Sequence, residues 1–235
     1  MVSLRGSFGQ FGGLSMLENK KAVIFDLDGT LTDSMWVWDE IDQEFFRSRN
    51  MEFPEHLKKD LEGMSFTETA AYFVQTYSLD CTADELGEYW NARALSKYRT
   101  EIFLKPGAFE LLEYLHRCQI KAGIATSNSE LLVQTFLSAR GIEDYIQAIT
   151  SDKEVKQGKP APDVYLATAA KLGVNPKDCL VFEDIPMGIL AGKNAGMEVC
   201  AVEDPYSAKQ REEKRALADY YIEDFRDLSE ELVSK

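Results

Sequence analysis

Three apolar runs in this 235-residue chain each stop abruptly in polar, reactive residues, and this limits the possible folds more than any other feature. Ala22-Val23-Ile24-Phe25 runs into Asp26-Leu27-Asp28-Gly29-Thr30, Ile120–Ala125 ends in Thr126-Ser127-Asn128, and Leu180-Val181-Phe182 ends in Glu183-Asp184. Short apolar runs interleaved with helical stretches are the pattern of parallel strands buried on both faces. Ligands of open α/β sheets bind outside the carboxyl ends of such strands. The three loaded ends, far apart in sequence, are therefore expected to meet at one sheet edge and form an active site.

The stretch from Asp33 to Phe103 has a different character: it is rich in Glu, Lys, Leu and aromatic residues, has a 3.6-residue period, and holds no convincing strand. Its expected helices are Trp36–Asn50, Glu55–Leu61, Thr67–Ser78 and Thr82–Thr100, the last opened by a capping box of Thr82 and Glu85. After Lys105-Pro106-Gly107 the alternation resumes. Helices are expected at Ala108–Cys118, Glu130–Arg140, Asp163–Leu172, Gly188–Ala195 and Ala208–Ala216. Strands are expected at Ile120–Ala125, Ala148–Ser151, Cys179–Glu183, Val199–Val202 and, as an edge, Tyr220–Ile222. Pro162 and Gly173 are placed to start and stop the third of these helices. The expected fold class is α/β, a doubly wound parallel-sheet (Rossmann-like) core with an inserted all-helical domain. The core comprises residues 16–32 and 104–235, the helical insertion 33–103, and a flexible leader 1–15, with Met16 as the functional start.

A formal net charge of -14 argues against nucleic acid as a partner, because phosphate backbones need clustered Lys and Arg. No run approaches the roughly 20 apolar residues of a membrane span, and residues 1–15 lack a signal-peptide core. Cys81, Cys118, Cys179 and Cys200 include no CxxC pair, so reduced thiols and a cytoplasmic location are expected. The expected partner is a small molecule.

Asp26 and Asp28, at spacing i, i+2 on an extended chain, leave the same face, and Gly29 then permits an unusual turn. Taken alone, the pair reads equally as a solvated strand end. With Glu183 and Asp184 behind a second apolar strand, four carboxylates converging on one edge need a cation, and hard oxygen ligands point to Mg²⁺. Lys159, between Gly158 and Pro160, and Ser127 would supply a cation and a hydroxyl to hold an anion, assisted by the helix start after Asn128. These groups match what attack on a phosphate monoester requires. A carboxylate nucleophile needs the dianion neutralised, and a second carboxylate must protonate the leaving oxygen and then activate water. Gly158-Lys159 is not a P-loop, since Lys153 replaces the first glycine and Pro160 replaces Ser/Thr. His56 and His116 read as bystanders.

Asp26-Leu27-Asp28-Gly29-Thr30, Thr126-Ser127-Asn128, Gly158-Lys159-Pro160 and Glu183-Asp184, in this order, resemble the haloacid dehalogenase superfamily, especially its beta-phosphoglucomutase-like phosphatase branch with a helical cap. The resemblance implies that Asp26 is the nucleophile and Asp28 the general acid/base. It further implies that Ser127, Asn128 and Lys159 bind phosphate, and that Asp26, the Asp28 carbonyl, Asp184 and Glu183 hold Mg²⁺. It makes the helical insertion a cap that closes over the site, in which Trp38, Met64 and Phe66 either line a substrate pocket or pack cap on core. The mutase of this branch carries a histidine where Trp38 stands, an arginine where Phe66 follows Gly63-Met64-Ser65, and valine in place of Thr30. The expected activity is therefore hydrolysis of a small phosphorylated metabolite through an aspartyl-phosphate, with a sugar-phosphate mutase and a catalytically retired binding module as the alternatives.

Overall fold

The computed structural model describes residues 13–61, 64 and 66–228. Of the expected leader, residues 1–12 lie outside the described residues, whereas Met16 and Leu17 close a 3-10 turn and are buried in the core. Strands β1 (Ala22–Phe25), β2 (Lys121–Thr126), β3 (Ala148–Ser151), β4 (Cys179–Glu183), β5 (Glu198–Val202) and β6 (Tyr220–Ile222) form one sheet in the order β3-β2-β1-β4-β5-β6. All five pairings are parallel. The chain thus winds outward from β1 in both directions, as the alternation of elements predicts.

Successive residues of β1 point to opposite faces, and their partners divide accordingly. Val23 and Phe25 pack with helices α5 (Ala108–Arg117) and α6 (Glu130–Arg140), whereas Ala22 and Ile24 pack with α7 (Asp163–Leu172) and α8 (Pro186–Asn194). Phe25 pairs with Ile124 of β2 and Phe182 of β4, so residues that follow β1, β2 and β4 emerge side by side. That register builds the site.

Between β1 and α5 lie α1 (Met35–Ser48), α2 (Leu57–Asp60), α3 (Phe66–Thr76) and α4 (Ala83–Thr100). Their buried faces meet in an aromatic cluster, with Phe73 contacting Phe45 and Trp90 at ring separations of 5.1 Å each. The chain leaves and re-enters the sheet through one paired neck. Asp33 N–H donates to Phe103 O (3.1 Å) and Lys105 N–H to Leu31 O (2.9 Å), around an antiparallel bridge from Thr32 to Leu104.

Most element ends fall within a residue or two of the sequence expectation, and three departures have a clear form. The segment Glu55–Leu61 contains only the single turn α2. Helix α8 begins at Pro186, two residues early, because proline needs no N–H partner in a first turn. The expected helix Ala208–Ala216 is instead a 3-10 stretch, Pro205–Gln210, capped by Asp204, followed by α9 (Arg211–Leu217). No helix among the described residues is long and apolar enough to cross a membrane.

Candidate active site

Asp26 is the first residue past β1, and its N–H donates to Phe182 O of the neighbouring strand (3.0 Å). Its carboxylate is buried and accepts from Lys159 Nζ at 2.7 Å. Lys159 comes from the loop before α7 and also contacts Glu183 at the end of β4. Tyr165, one turn into α7, places its ring 5.4 Å from the ammonium and donates its hydroxyl to Glu183 Oε1 (2.8 Å). Glu183 Oε2 accepts the backbone N–H groups of Asp184 (2.9 Å) and Ile185 (3.3 Å). The carboxylate lies so close to α8 that a Cβ on Gly188 would meet it at 1.9 Å.

Asp184 Oδ1 accepts from Thr30 Oγ1 (3.0 Å). Gly29 lies under it at φ 85°, where a Cβ would be 2.5 Å from Asp184 Oδ2. Glycine is thus required twice over, for its backbone angle and for the approach of the carboxylate. One oxygen from each of Asp26, Glu183 and Asp184 lies within 4.8 Å of the others. Burial first, and then mutual repulsion, push the Asp184 carboxyl well above its ordinary range. Asp26 is pushed up to about 7, chiefly by burial, against the opposing charge of Lys159. Burial alone would lower the Lys159 pKa, but the charges of Asp26 and Glu183 outweigh it and keep the ammonium protonated. Three buried carboxylates facing one ammonium form an unbalanced, all-oxygen cluster that fits a hard divalent cation.

Asp28 has a separate set of partners. Its Oδ1 accepts from Ser34 Oγ (2.5 Å) and from the hydroxyl of Tyr98 in α4, and its Oδ2 accepts from Asn128 Nδ2 (3.0 Å). Burial raises its pKa, and hydrogen bonds from Ser34, Tyr98, Asn128 and Trp38 pull it back. Asn128 follows β2, and its side chain is turned onto Asp28 and Tyr98. Ser127 is half-buried beside it.

The structure therefore brings Asp26, Asp28, Ser127, Asn128, Lys159, Glu183 and Asp184 to one edge, as the strand pattern predicts. Trp38 joins them, its ring tilted at 59° to that of Tyr98 with the centroids 6.3 Å apart. Phe66 packs inside the helical layer, 5.7 Å from Trp90 and against Gly87, although its ring also reaches Trp38 (6.0 Å). Met64 lies in a turn bonded to Leu61, while Gly63 and Ser65 fall outside the described residues. A cleft of about 450 Å³ lies between the start of α3 and the loop 153–158; it is lined by Thr67, Glu68, Asp84, Lys153, Lys156 and Gly158, the residue before Lys159. Sequence reasoning missed Ser34, Tyr98 and Tyr165. Tyr98 ends the buried stripe Leu86, Trp90, Ala94, Tyr98, and its one signal was a hydroxyl where a core helix needs none.

Comparison with known proteins follows the same lines. A probable pseudouridine-5′-phosphatase of Drosophila melanogaster is 31% identical over 218 residues, covering 86% of this chain and 92% of that protein. (DL)-Glycerol-3-phosphatase 2 of Arabidopsis thaliana is 35% identical over 194 residues, covering 78% and 79%. The crystal structure of CbbY from Rhodobacter sphaeroides, in complex with phosphate, superposes with a TM-score of 0.79 at 25% identity, covering 89% and 96%. Residues 23–202 match one family from the first strand through the fifth, and this chain belongs to it: the haloacid dehalogenase-like hydrolases.

Proposed function

We propose that this protein is an Mg²⁺-dependent phosphatase that hydrolyses a small phosphorylated metabolite through an aspartyl-phosphate. The observation that carries this reading is the division of labour between two aspartates two residues apart. Asp26 faces Lys159, whereas Asp28 is held apart by Ser34, Tyr98 and Asn128. In the first step an Asp26 carboxylate oxygen attacks phosphorus, the bond to the leaving oxygen breaks, and the Asp28 carboxyl gives that oxygen its proton. In the second, the Asp28 carboxylate takes a proton from water as the water oxygen attacks the same phosphorus, releasing phosphate and restoring Asp26. Lys159, Ser127 and Asn128 bind the phosphate oxygens. Asp26, Asp184, the Asp28 carbonyl and Glu183 hold Mg²⁺, which when bound supplies positive charge against the phosphate dianion. Glu183 also orients Lys159, since both its oxygens are engaged in the core. The helical insertion 33–103 acts as a cap on the core 16–32 and 104–235, with Trp38 at the leaving-group side. Hydrolysis is favoured over phosphoryl relay between sugar positions because Trp38 and Phe66 stand where the mutase carries histidine and arginine.

The names of the relatives motivate a panel of pseudouridine 5′-phosphate, glycerol 3-phosphate and beta-glucose 1-phosphate, assayed for phosphate release with and without Mg²⁺. Mg²⁺-dependent release that Asp26→Asn abolishes is the expected result. Conversion of glucose 1-phosphate to glucose 6-phosphate without net release would transfer the case to the mutase. Silence on the whole panel would support a binding module.

A further inference from the structure

Tyr98 is fully buried near the end of α4, and its hydroxyl forms a closed ring of side chains with two residues that follow strands of the sheet. It donates to Asp28 Oδ1 and accepts from Asn128 Nδ2 (2.7 Å), and Asn128 Nδ2 also donates to Asp28 Oδ2 (3.0 Å). Ser34, just before α1, donates a second hydroxyl to the same Oδ1 (2.5 Å). Both oxygens of Asp28 are therefore fixed in space, and of the four side chains that bond to it only Asn128 comes from outside the neck and the helical insertion. Phenylalanine would fill the stripe of α4 equally well, and burying a hydroxyl is costly unless it is bonded. The hydroxyl is explained by its partner.

We propose that Tyr98, together with Ser34, is a positioning residue for proton transfer by Asp28. The two hydroxyls hold Oδ1, so that Oδ2 faces the leaving oxygen and carries the proton. This rests on the phosphatase reading above. It goes further by assigning a residue of the helical insertion to the acid/base step, which a tether joining α4 to the sheet would not require.

The choice of leaving group separates the two roles. An alkoxide needs a proton as its bond to phosphorus breaks, and p-nitrophenolate does not. In single-turnover reactions with Mg²⁺, Tyr98→Phe should slow alcohol release from the alkyl phosphate turned over fastest in the panel by about tenfold, the effect of losing one hydrogen bond to a charged group. Release of p-nitrophenol from p-nitrophenyl phosphate should slow by less than about twofold, with KM for both substrates unchanged. Ser34→Ala removes the other donor to Oδ1 and should give the same split, which keeps the test decisive should Tyr98→Phe not fold. Equal slowing of both leaving groups, or slowing of neither, overturns the assignment while leaving the phosphatase reading intact. A wild-type protein that releases neither alcohol nor p-nitrophenol overturns both.

Discussion

Gly188 has no side chain because Glu183 occupies the space that a Cβ would need, and Glu183 cannot retreat while Lys159, Tyr165 and two backbone N–H groups hold it. Gly188→Ala should therefore cost about 1–3 kcal/mol, as overpacking of a filled core does. Thermal unfolding should show a drop of several degrees, together with lost phosphatase activity as Lys159 is displaced; unchanged melting would refute this account of the glycine. Tyr165→Phe makes a milder change in the same network, removing one hydrogen bond to a buried carboxylate. It should lower kcat several-fold through a less fixed Lys159, and an unchanged kcat would argue that Glu183 orients Lys159 without it. At this scale, legibility in the sequence followed chain distance. Asp26, Asp28, Glu183 and Asp184 could be read because each abuts an apolar strand. Tyr98 and Tyr165 could not, because each sits on a buried helical stripe and meets its carboxylate partner across 70 and 18 residues respectively.

Helix α4 carries its own start signal. Thr82 accepts from the Glu85 N–H (3.2 Å), and Glu85 Oε2 accepts from the Thr82 N–H (2.8 Å). Thr82→Ala should destabilise the protein by about 1 kcal/mol, read as a lower denaturant midpoint; no shift would mean the insertion is held by packing alone. Helices α6 and α7 span the residues expected from the sequence, and each is ended by a glycine, Gly141 or Gly173, at the left-handed angle that terminates a helix. Strand β2 starts one residue later than its apolar run suggests. Gln119 takes a positive φ of 56° and Ile120 N–H returns to Leu115 O (2.9 Å), so Ile120 closes α5 instead of joining the sheet. Such edges depend on how one element hands over to the next, which composition within a window does not record. The short α2 belongs to the same class: its sequence is helical in character, but only four residues complete the turn.

Across the whole molecule, burial of acids at the sheet edge links folding to pH. Asp26 titrates at about 7 when folded, against an ordinary 3.8, and Asp28 and Asp184 are shifted the same way. A carboxyl with a raised folded pKa favours the native state when protonated. That contribution is complete below about pH 4 and is lost as pH rises through about 7. Lys159 remains charged throughout. On the phosphatase reading proposed above, Mg²⁺ would compete with protons for these oxygens, so saturating Mg²⁺ should raise Tm more at about pH 8 than at about pH 5. An equal or smaller rise at the higher pH would refute cation binding by this cluster. The paired neck has a consequence of a different kind. Leu31 and Lys105 lie one backbone hydrogen bond apart (2.9 Å), so the helices between them form a single loop whose ends already touch. The entropic cost of closing those ends grows only slowly with the length of the segment between them, by about 0.6 kcal/mol for each doubling. The segment can thus be exchanged as a graft without re-registering any strand. What a graft would lose is the two hydroxyls of Ser34 and Tyr98, so an exchanged insertion has to bring its own means of orienting Asp28.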